Sequence, residues 1–180
     1  DKDRMKTVLE GAGVPCARHK LAVSAGDALE FTERVGFPLV VKPPAGAGAK
    51  STFRLDDPED LKAWLDMAPP APDRPAQIEE FLTGDEGSYD SVMIDGQVVW
   101  DSVSDYLPTP LEVLRHPWMQ WVVRLPRDIG GPEYAGIRQV APDALRALGL
   151  STGLSHMEWF RRPDGSVAVS EVGARPPGAQ

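Results

Sequence analysis

The spacing of apolar residues along the first 76 positions changes between the period of a helix and that of a strand. Apolar residues that recur every three or four positions predict an amphipathic helix, whereas short runs of β-branched residues bounded by proline predict a buried strand. The elements predicted here are a helix over 1–12, an extended segment over 14–23, a helix capped by Ser24 and ended by Gly36, strands over 37–42 and 51–55, and a helix opened by Asp57.

The rest of the chain contains two strong hairpin signals, Asp95-Gly96 and Asp164-Gly165, because an Asp-Gly pair between strand-like runs favours a tight turn. The helical pattern over 133–148 contains Pro142, which predicts a kink or a break. The segment 108–131 is ambiguous, and we interpret part of it as a strand. This irregular alternation of helices and strands predicts α+β lobes rather than a doubly wound sheet.

A proline-rich connector over 69–75 indicates where two lobes separate. We therefore expect an N-terminal helix and strand over 1–20, a small lobe over 21–76 and a larger lobe over 77–180. Because the chain starts without methionine and stops after a Gly/Pro-rich run, we interpret it as a piece of a longer protein, with the larger lobe truncated at its C-terminus.

Net charge and cysteine content exclude several classes of protein. The formal net charge is −8 over 180 residues, so the chain lacks the cationic surface that binding along a nucleic acid requires. No apolar run is long enough to span a bilayer, and we expect no membrane partner. The single cysteine, Cys16, cannot form an internal disulfide, which fits a reducing compartment and predicts a cytoplasmic location. Four tryptophans are expected to pack in a core or between lobes: Trp100, Trp118, Trp121 and Trp159.

A pair of glutamates on the last predicted hairpin is the most informative local feature. A two-residue turn at Asp164-Gly165 places Glu158 directly opposite Glu171. Opposed side chains have Cβ atoms about 4.5–5.5 Å apart, so the two carboxylates repel unless a cation lies between them. Mg²⁺ commonly takes one or two carboxylates together with substrate phosphates. The alternative is a solvated face, and the same arithmetic on the other hairpin opposes Asp90 with Asp101.

Strand alternation places Gly173 and Arg175 on the same face as Glu171. A guanidinium beside a metal suits the oxygens of a phosphate or an acyl phosphate, because its planar N–H groups donate in pairs. Arg175 is therefore the candidate catalytic residue.

A loop of small residues follows the predicted strand 37–42, and its backbone N–H groups can approach a phosphate closely. We predict a lid over phosphates, with Lys42 directed to the same place; the alternative is a flexible surface turn. A P-loop is excluded because Pro44 and Ala49 stand where glycine is needed, and a strand follows instead of a helix. The candidate phosphate-binding residues of the loop are Gly46, Gly48, Lys50 and Ser51.

Five segments carry a resemblance that covers nearly the whole chain in order. They are Asp1-Lys2 with Met5-Lys6 and Gly13-Val14-Pro15, residues 36–43, Ile78-Glu79-Glu80-Phe81-Leu82 with Gly84-Asp85-Glu86, His156-Met157-Glu158, and residues 171–178. Together they resemble the ATP-grasp superfamily, in particular its carboxylate–amine ligase, biotin-carboxylase-like and carbamoyl-phosphate synthase large-chain branches. The resemblance implies two α+β lobes with the nucleotide bound between them.

The resemblance also implies roles for the matching residues. Lys2 and Lys42 would contact the phosphates, and the 46–51 loop would close over them. Glu79 would accept a hydrogen bond from the adenine amino group, and backbone atoms of Phe81 and Leu82 would contact the edge of the ring. Glu86 would bind the ribose hydroxyls. Glu158 and Glu171 would bind magnesium, and Arg175 would stabilise the transferring phosphoryl group.

The metal segment departs from the family at one position. Members usually carry Asn two residues after the second metal-binding Glu, and this chain has Gly173. The departure removes a third protein ligand, and with it the expectation of two bound metal ions and full activity. His156, which the predicted register places opposite Gly173, is either a replacement ligand or a histidine packed behind the ligands.

We therefore expect an ATP-dependent C–N ligase that phosphorylates a carboxylate to an acyl phosphate for attack by an amine, with ATP and Mg²⁺ or Mn²⁺ as cofactors. Its expected partners are a small-molecule carboxylate, a nucleophile, the remaining domains of the parent chain and, in a homodimer, a second copy. Two alternatives stay open: a regulatory nucleotide-binding domain without catalysis, and a biotin-carboxylase or carbamoyl-phosphate-synthase type of enzyme with the same fold.

Overall fold

The computed structural model describes residues 1–44, 52–116 and 118–177. These residues fall into two compact units. Unit 1 comprises Asp1–Thr7 and Ala17–Leu82, and unit 2 comprises Val8–Cys16 and Thr83–Gln180. Each unit combines helices with an antiparallel sheet, which confirms the α+β prediction.

Unit 1 is built on four antiparallel strands in the order β1-β4-β2-β3. The strands are β1 (His19–Ala22), β2 (Leu39–Lys42), β3 (Phe53–Leu55) and β4 (Ala76–Glu80). Its helices are the N-terminal part of α1 (Lys2–Gly11), together with α2 (Ala25–Val35) and α3 (Pro58–Met67).

The helices α2 and α3 begin at the residues that the sequence predicts. The Ser24 hydroxyl accepts a hydrogen bond from the Asp27 N–H at 3.1 Å, and the Asp57 carboxylate accepts one from the Asp60 N–H at 2.9 Å. Each such cap stabilises a helix by about 1 kcal/mol. Gly36 ends α2 with a φ of 81°, a conformation that glycine adopts without strain.

The two faces of the unit 1 sheet differ in polarity. One face packs against α2 and α3, and its buried apolar set is Ala22, Ala28, Phe31, Leu39, Val41, Leu55, Leu61, Trp64 and Ile78. Because successive strand residues point to opposite faces, the other face carries Lys42, Gln77 and Glu79. The apolar face holds the unit together, and the polar face is left for chemistry.

Unit 2 is built on five antiparallel strands in the order β7-β6-β5-β8-β9. The strands are β5 (Asp85–Ile94), β6 (Gln97–Leu107), β7 (Val122–Arg124), β8 (Gly153–Arg161) and β9 (Val167–Gly173). The helices are α4 (Pro110–Arg115) and α5 (Pro132–Ala147), so the ambiguous segment 108–131 contains one short helix and one short strand.

The helix α5 runs without interruption through Pro142, so a break at this residue is wrong. Buried residues on both sides of the proline, including Ile137 and Leu145, anchor the helix and outweigh the hydrogen bond that proline cannot make. The sheet residues that are buried with them are Tyr89, Met93, Val103, Met157, Trp159, Val167 and Val169.

The hairpin of β5 and β6 contains a register shift between Val92 and Met93. Asp90 therefore lies opposite Ser102 rather than Asp101, and the predicted opposition of the two aspartates is wrong. An extra residue in one strand moves its side chains to the other face, a change that turn arithmetic alone does not reveal.

Of the four tryptophans expected in a core or between lobes, Trp159 is buried at 2% exposure, whereas the other three do not lie in a core. Trp100 is 56% exposed, Trp118 79% and Trp121 38%. Trp100 lies on the same face of the sheet as Ser102 and Asp90, opposite to the buried residues Val103 and Tyr89. The exposed Trp100 side chain therefore lies on the polar face of unit 2.

The strand β4, which the sequence analysis places at the start of the larger lobe, pairs with β1 and β2. Unit 1 therefore extends to Leu82, beyond the expected boundary at residue 76.

Gly84 then leads into β5 with a φ of 133°, and a Cβ there would lie 2.0 Å from the Arg161 carbonyl oxygen, so only glycine fits. Over the described ranges, no helix combines the length and apolar character needed to cross a membrane.

Candidate functional site

Two predicted nucleotide-binding residues of unit 1, Lys42 and Glu79, contact each other on the polar face. Lys42 Nζ lies 2.9 Å from Glu79 Oε2, and the two side chains are only 13% and 5% exposed. The pairing of β2 with β4 fixes this geometry, because it sets Val40 opposite Glu79 and Lys42 opposite Gln77. The pair presents a charged donor next to a charged acceptor in a largely desolvated place, where both are strong hydrogen-bonding groups.

A second lysine, to which the sequence analysis gives no role, contacts the same glutamate. Lys6 is fully buried, and its Nζ lies 3.5 Å from Glu79 Oε2. It stands one helical turn after Lys2 on α1, so the two lysines share a helix face. The sequence signals for Lys6 were this i,i+4 spacing and its place in the first segment of the resemblance.

The residue Lys2 is itself 9% exposed, and its backbone N–H donates to the Pro44 carbonyl at 2.9 Å. The start of α1 is thereby tied to the segment that leads into the predicted phosphate loop. The loop residues Gly46, Gly48, Lys50 and Ser51 lie outside the described residues.

Two side chains of this face carry buried polar atoms that have no hydrogen-bond partner among the described residues: Glu79 through Oε1, and Gln77 through both Oε1 and Nε2. Buried polar groups are nearly always paired, because leaving one unpaired costs about 1–3 kcal/mol. Such groups on a polar sheet face are typical of a surface that receives a polar ligand.

The predicted ring-edge residues follow β4 directly. The Phe81 N–H donates to the Pro38 carbonyl at 3.1 Å, so this N–H already has a partner within unit 1. The Arg54 guanidinium lies over the Phe81 ring at 4.2 Å, which holds the aromatic side chain in place. Leu82 is buried at 8% exposure.

In unit 2, Glu158 lies directly opposite Glu171, as predicted, but for a different reason. The turn is longer than two residues, since Arg161 pairs with Val167 and shifts the register by one. A bulge between Glu158 and Trp159 then shifts it back. The two offsets cancel, so the acids meet on one face of the sheet.

The same register places His156 opposite Gly173, which confirms that prediction. The structure also shows what His156 contacts: its Nδ1 lies 2.6 Å from Asp90 Oδ1, and its Nε2 lies 3.9 Å from Glu158 Oε1. Asp90 receives a further hydrogen bond from the Ser88 hydroxyl at 3.2 Å. The chain therefore forms a polar network next to the glutamate pair, on the same face of the sheet.

The hydrogen bond with Asp90, followed by the interaction with Glu158, raises the pKa of His156 to about 9. At neutral pH the imidazolium donates from Nδ1 to Asp90 and carries a positive charge beside Glu158. With Nδ1 bonded to Asp90 and Nε2 near Glu158, both interpretations of His156 stay open: a replacement ligand and a histidine packed next to the ligands.

Gly173, where the resemblance leads us to expect Asn, lies beside Arg175. A Cβ at Gly173 would stand 3.3 Å from both Cγ and Nε of Arg175, so the missing side chain gives the arginine room to lie over the strand. The Arg175 guanidinium is exposed and donates to the Pro176 carbonyl at 2.9 Å.

The carboxylate pair fits a metal ion that is shared with a phosphate. Within the described part of the chain, no group of three or more His, Cys, Asp and Glu side chains is arranged to hold a metal. Two carboxylates suffice for magnesium when phosphate oxygens and water complete its six ligands. The Glu158 side chain is 35% exposed and therefore accessible to such a ligand. Glu86 lies one pair of residues further along the same face, since Ser88 pairs with Glu158 and Glu86 with Phe160.

Comparison with known proteins identifies the class of this fold. The sequence model described as the carbamoyl-phosphate synthase L chain, ATP binding domain, matches residues 1–96, which is more than half of the chain. The chain belongs to this family, whose fold is the ATP-grasp fold.

Relatives and solved structures agree with this assignment. The L-arginine-specific L-amino acid ligase of Bacillus subtilis is 27% identical over 97% of this chain and 43% of that protein. The L-amino acid ligase from Bacillus licheniformis superimposes with a TM-score of 0.74 at 25% identity, over 97% of this chain and 40% of the other. The ATP-grasp ligase PsnB, solved with Mg and ADP, shares the fold with a TM-score of 0.67 at 21% identity, over 96% of this chain and 49% of the other. The chain thus spans less than half the length of these proteins.

Proposed function

We propose that the protein is an ATP- and magnesium-dependent ligase that activates a carboxylate as an acyl phosphate and joins it to an amine. The observation that carries this proposal is the pair Glu158 and Glu171, held directly opposite each other on one face of the sheet. Two neighbouring acids and an exposed guanidinium favour a metal-bound phosphate over any uncharged ligand. The ATP-grasp family assignment, together with the ligase relatives, supports the same reaction class.

The nucleotide contacts assigned to unit 1 use the buried polar face. Glu79 presents an acceptor to the amino group of adenine, and Lys42 Nζ lies 2.9 Å from it, so the lysine is a charged donor close to the base. Lys2, Lys42 and the loop residues 46–51 are assigned to the phosphates. At the edge of the adenine ring, the Leu82 backbone N–H stays assigned as a donor. Phe81 is assigned through its carbonyl oxygen, because the Phe81 N–H already donates to the Pro38 carbonyl.

The contacts assigned to unit 2 are the ribose hydroxyls at Glu86 and the metal at Glu158 and Glu171. Magnesium bound there would neutralise charge on the phosphate oxygens. Arg175 would donate to the oxygens of the phosphoryl group as charge develops on them.

The proposed reaction has two steps. A carboxylate oxygen attacks the terminal phosphorus of ATP, the new O–P bond forms, and the bond to the ADP oxygen breaks. The amine nitrogen then attacks the acyl carbon, inorganic phosphate leaves, and the nitrogen loses a proton. The protein residues named here contribute by positioning the reactants and balancing charge, which account for most of the acceleration in phosphoryl transfer.

One observation favours a second candidate function. Gly173 removes the third protein ligand that the family usually supplies, which suits a domain that binds nucleotide for regulation and does not turn it over. The family name also keeps a carbamoyl-phosphate or biotin-carboxylating type of reaction as an alternative.

The test is ADP formation by the full-length protein with a pool of L-amino acids, with and without Mg²⁺. The ligase proposal expects ADP that requires both the amino acids and the metal, and that disappears when the metal is chelated. ATP binding without ADP formation would support the regulatory role, and ADP formation that depends on bicarbonate would support the carboxylating alternative. Manganese in place of magnesium, a homodimer, further domains of the protein and a cytoplasmic location stay predictions.

A further inference from the structure

The polar face of unit 2 continues into an apolar patch on the same three central strands. Val92 lies directly opposite Trp100 on one neighbouring strand and directly opposite Leu154 on the other. Trp100 is 56% exposed and Leu154 46%, whereas the next residues toward the glutamates on this face, Asp90 and His156, are nearly buried. We define the apolar patch as Val92, Trp100 and Leu154.

The patch, the histidine network and the glutamate pair lie in line along β8, at every second residue. Leu154, His156 and Glu158 therefore share a face, with steps of roughly 7 Å between them. Glu86 lies beyond the glutamates at the opposite end of the line, next to Ser88 on β5. The order on the sheet is thus ribose contact, metal pair, Asp90–His156 pair and apolar patch.

We infer that the apolar patch seats the body of the carboxylate substrate, which is a carboxylate with an aliphatic or aromatic side chain. The inference rests on the proposed function and names its substrate class. A phosphate bound to metal at the glutamates occupies the space next to them, and the attacking carboxylate oxygen must lie about 3–3.5 Å from its phosphorus. The carboxylate then lies above His156, one step along the line, and its body reaches the patch.

The chemistry of the patch selects the same class. An apolar substrate side chain that covers the exposed indole and the two aliphatic side chains removes apolar surface from water, which favours binding. The indole can also stack on an aromatic ring. Among the described residues that define the patch there is no charge, so a charged substrate side chain would lose water there without compensation.

The test measures the acyl donor alone, with hydroxylamine as the nucleophile that converts the acyl phosphate into a hydroxamate. The full-length protein is assayed with L-leucine, L-phenylalanine, L-glutamate and L-lysine as donors. The inference expects a lower KM for the two apolar donors. In Trp100→Ser and Leu154→Ser, the KM for L-phenylalanine should rise by about ten-fold, the loss of one buried apolar contact, with the KM for ATP unchanged.

Two matched variants serve as controls. Trp118→Ser removes an equally large exposed side chain, 79% exposed, and Leu29→Ser removes a leucine of α2 that is 48% exposed. Both should leave every KM unchanged.

Each other outcome overturns the inference. Hydroxamate formed best from the charged donors, or patch variants with unchanged KM for L-phenylalanine, would refute it while leaving the ligase proposal intact. A lowered melting temperature with unchanged KM would show that the patch is covered by another part of the protein. Absence of hydroxamate with every donor, while ATP still binds, would refute the proposed function and this inference with it.

Discussion

The polar faces of the two sheets differ in the charge that surrounds their acidic side chains. In unit 1 the acid Glu79 contacts two lysines, Lys42 and Lys6, so its negative charge is compensated within the unit. In unit 2 the acid Glu158 lies opposite another acid, Glu171, with His156 as the nearby cation. The first face must open its own ion pairs to bind a ligand, whereas the second gains from an added cation. This difference supports the proposed assignment of the base to unit 1 and of the metal to unit 2.

The largest expected effect comes from removing one of the opposed acids. Glu171→Gln leaves a single carboxylate, so the magnesium dependence of nucleotide binding should be lost, because one ligand and the mutual repulsion disappear together. Isothermal calorimetry of ATP with and without Mg²⁺ measures this. Glu33→Gln on α2 is the control, and a magnesium titration like that of the unchanged protein would place the metal elsewhere.

A smaller effect is expected from a substitution on the polar face of unit 1. Lys42→Ala removes a charge-assisted donor and should weaken ATP binding by about 1.5–3 kcal/mol. Lys62→Ala is the matched control, since the Lys62 side chain is 76% exposed and pairs along its own helix with Asp66. If calorimetry gave equal ATP affinities for the two variants, Lys42 would not be a nucleotide contact.

The smallest effect concerns the stability that Asp90 gains from His156. Because the folded pKa of His156 is raised from 6.5 to about 9, this stabilisation is complete below about pH 6.5 and is lost as the pH rises through about 9. Asp90→Asn should therefore lower the free energy of unfolding by about 1.5 kcal/mol at pH 6 and by much less at pH 10.

Urea denaturation at both pH values measures the change. Asp101→Asn is the control, because Asp101 lies on the other face and pairs with Arg138, whose charge persists over this range. A loss for Asp90→Asn that is the same at both pH values would show that the histidine is not the partner that matters.

Local signals in the sequence were sufficient for much of the fold. The caps Ser24 and Asp57, the terminating Gly36 and the Asp95-Gly96 turn act over a few residues, and each appears in the structure where the sequence predicts it. The opposition of Glu158 and Glu171 was also correct, although the turn rule behind it was not, because a longer turn and a bulge cancel.

Pairings between distant segments were beyond the sequence. Asp90 meets His156 across 66 positions because β5 pairs with β8, and no local pattern specifies that neighbour. The burial of Lys6 likewise depends on where α1 packs, and a lysine near a helix start usually lies in water. Trp100 was expected inside because large aromatic residues usually are, and its exposure became visible only from the strand faces.

The surplus residue in β9 has a consequence for how this hairpin tolerates changes in length. A regular strand that loses one residue turns every side chain beyond the gap to the wrong side. Ser170 lies between Val169, which pairs with Trp159, and Glu171, which pairs with Glu158, so deleting it would remove the irregularity and keep both pairings. Homologous chains one residue shorter at this point can therefore present the same two acids, and a gap in an alignment here does not signify the loss of either acid.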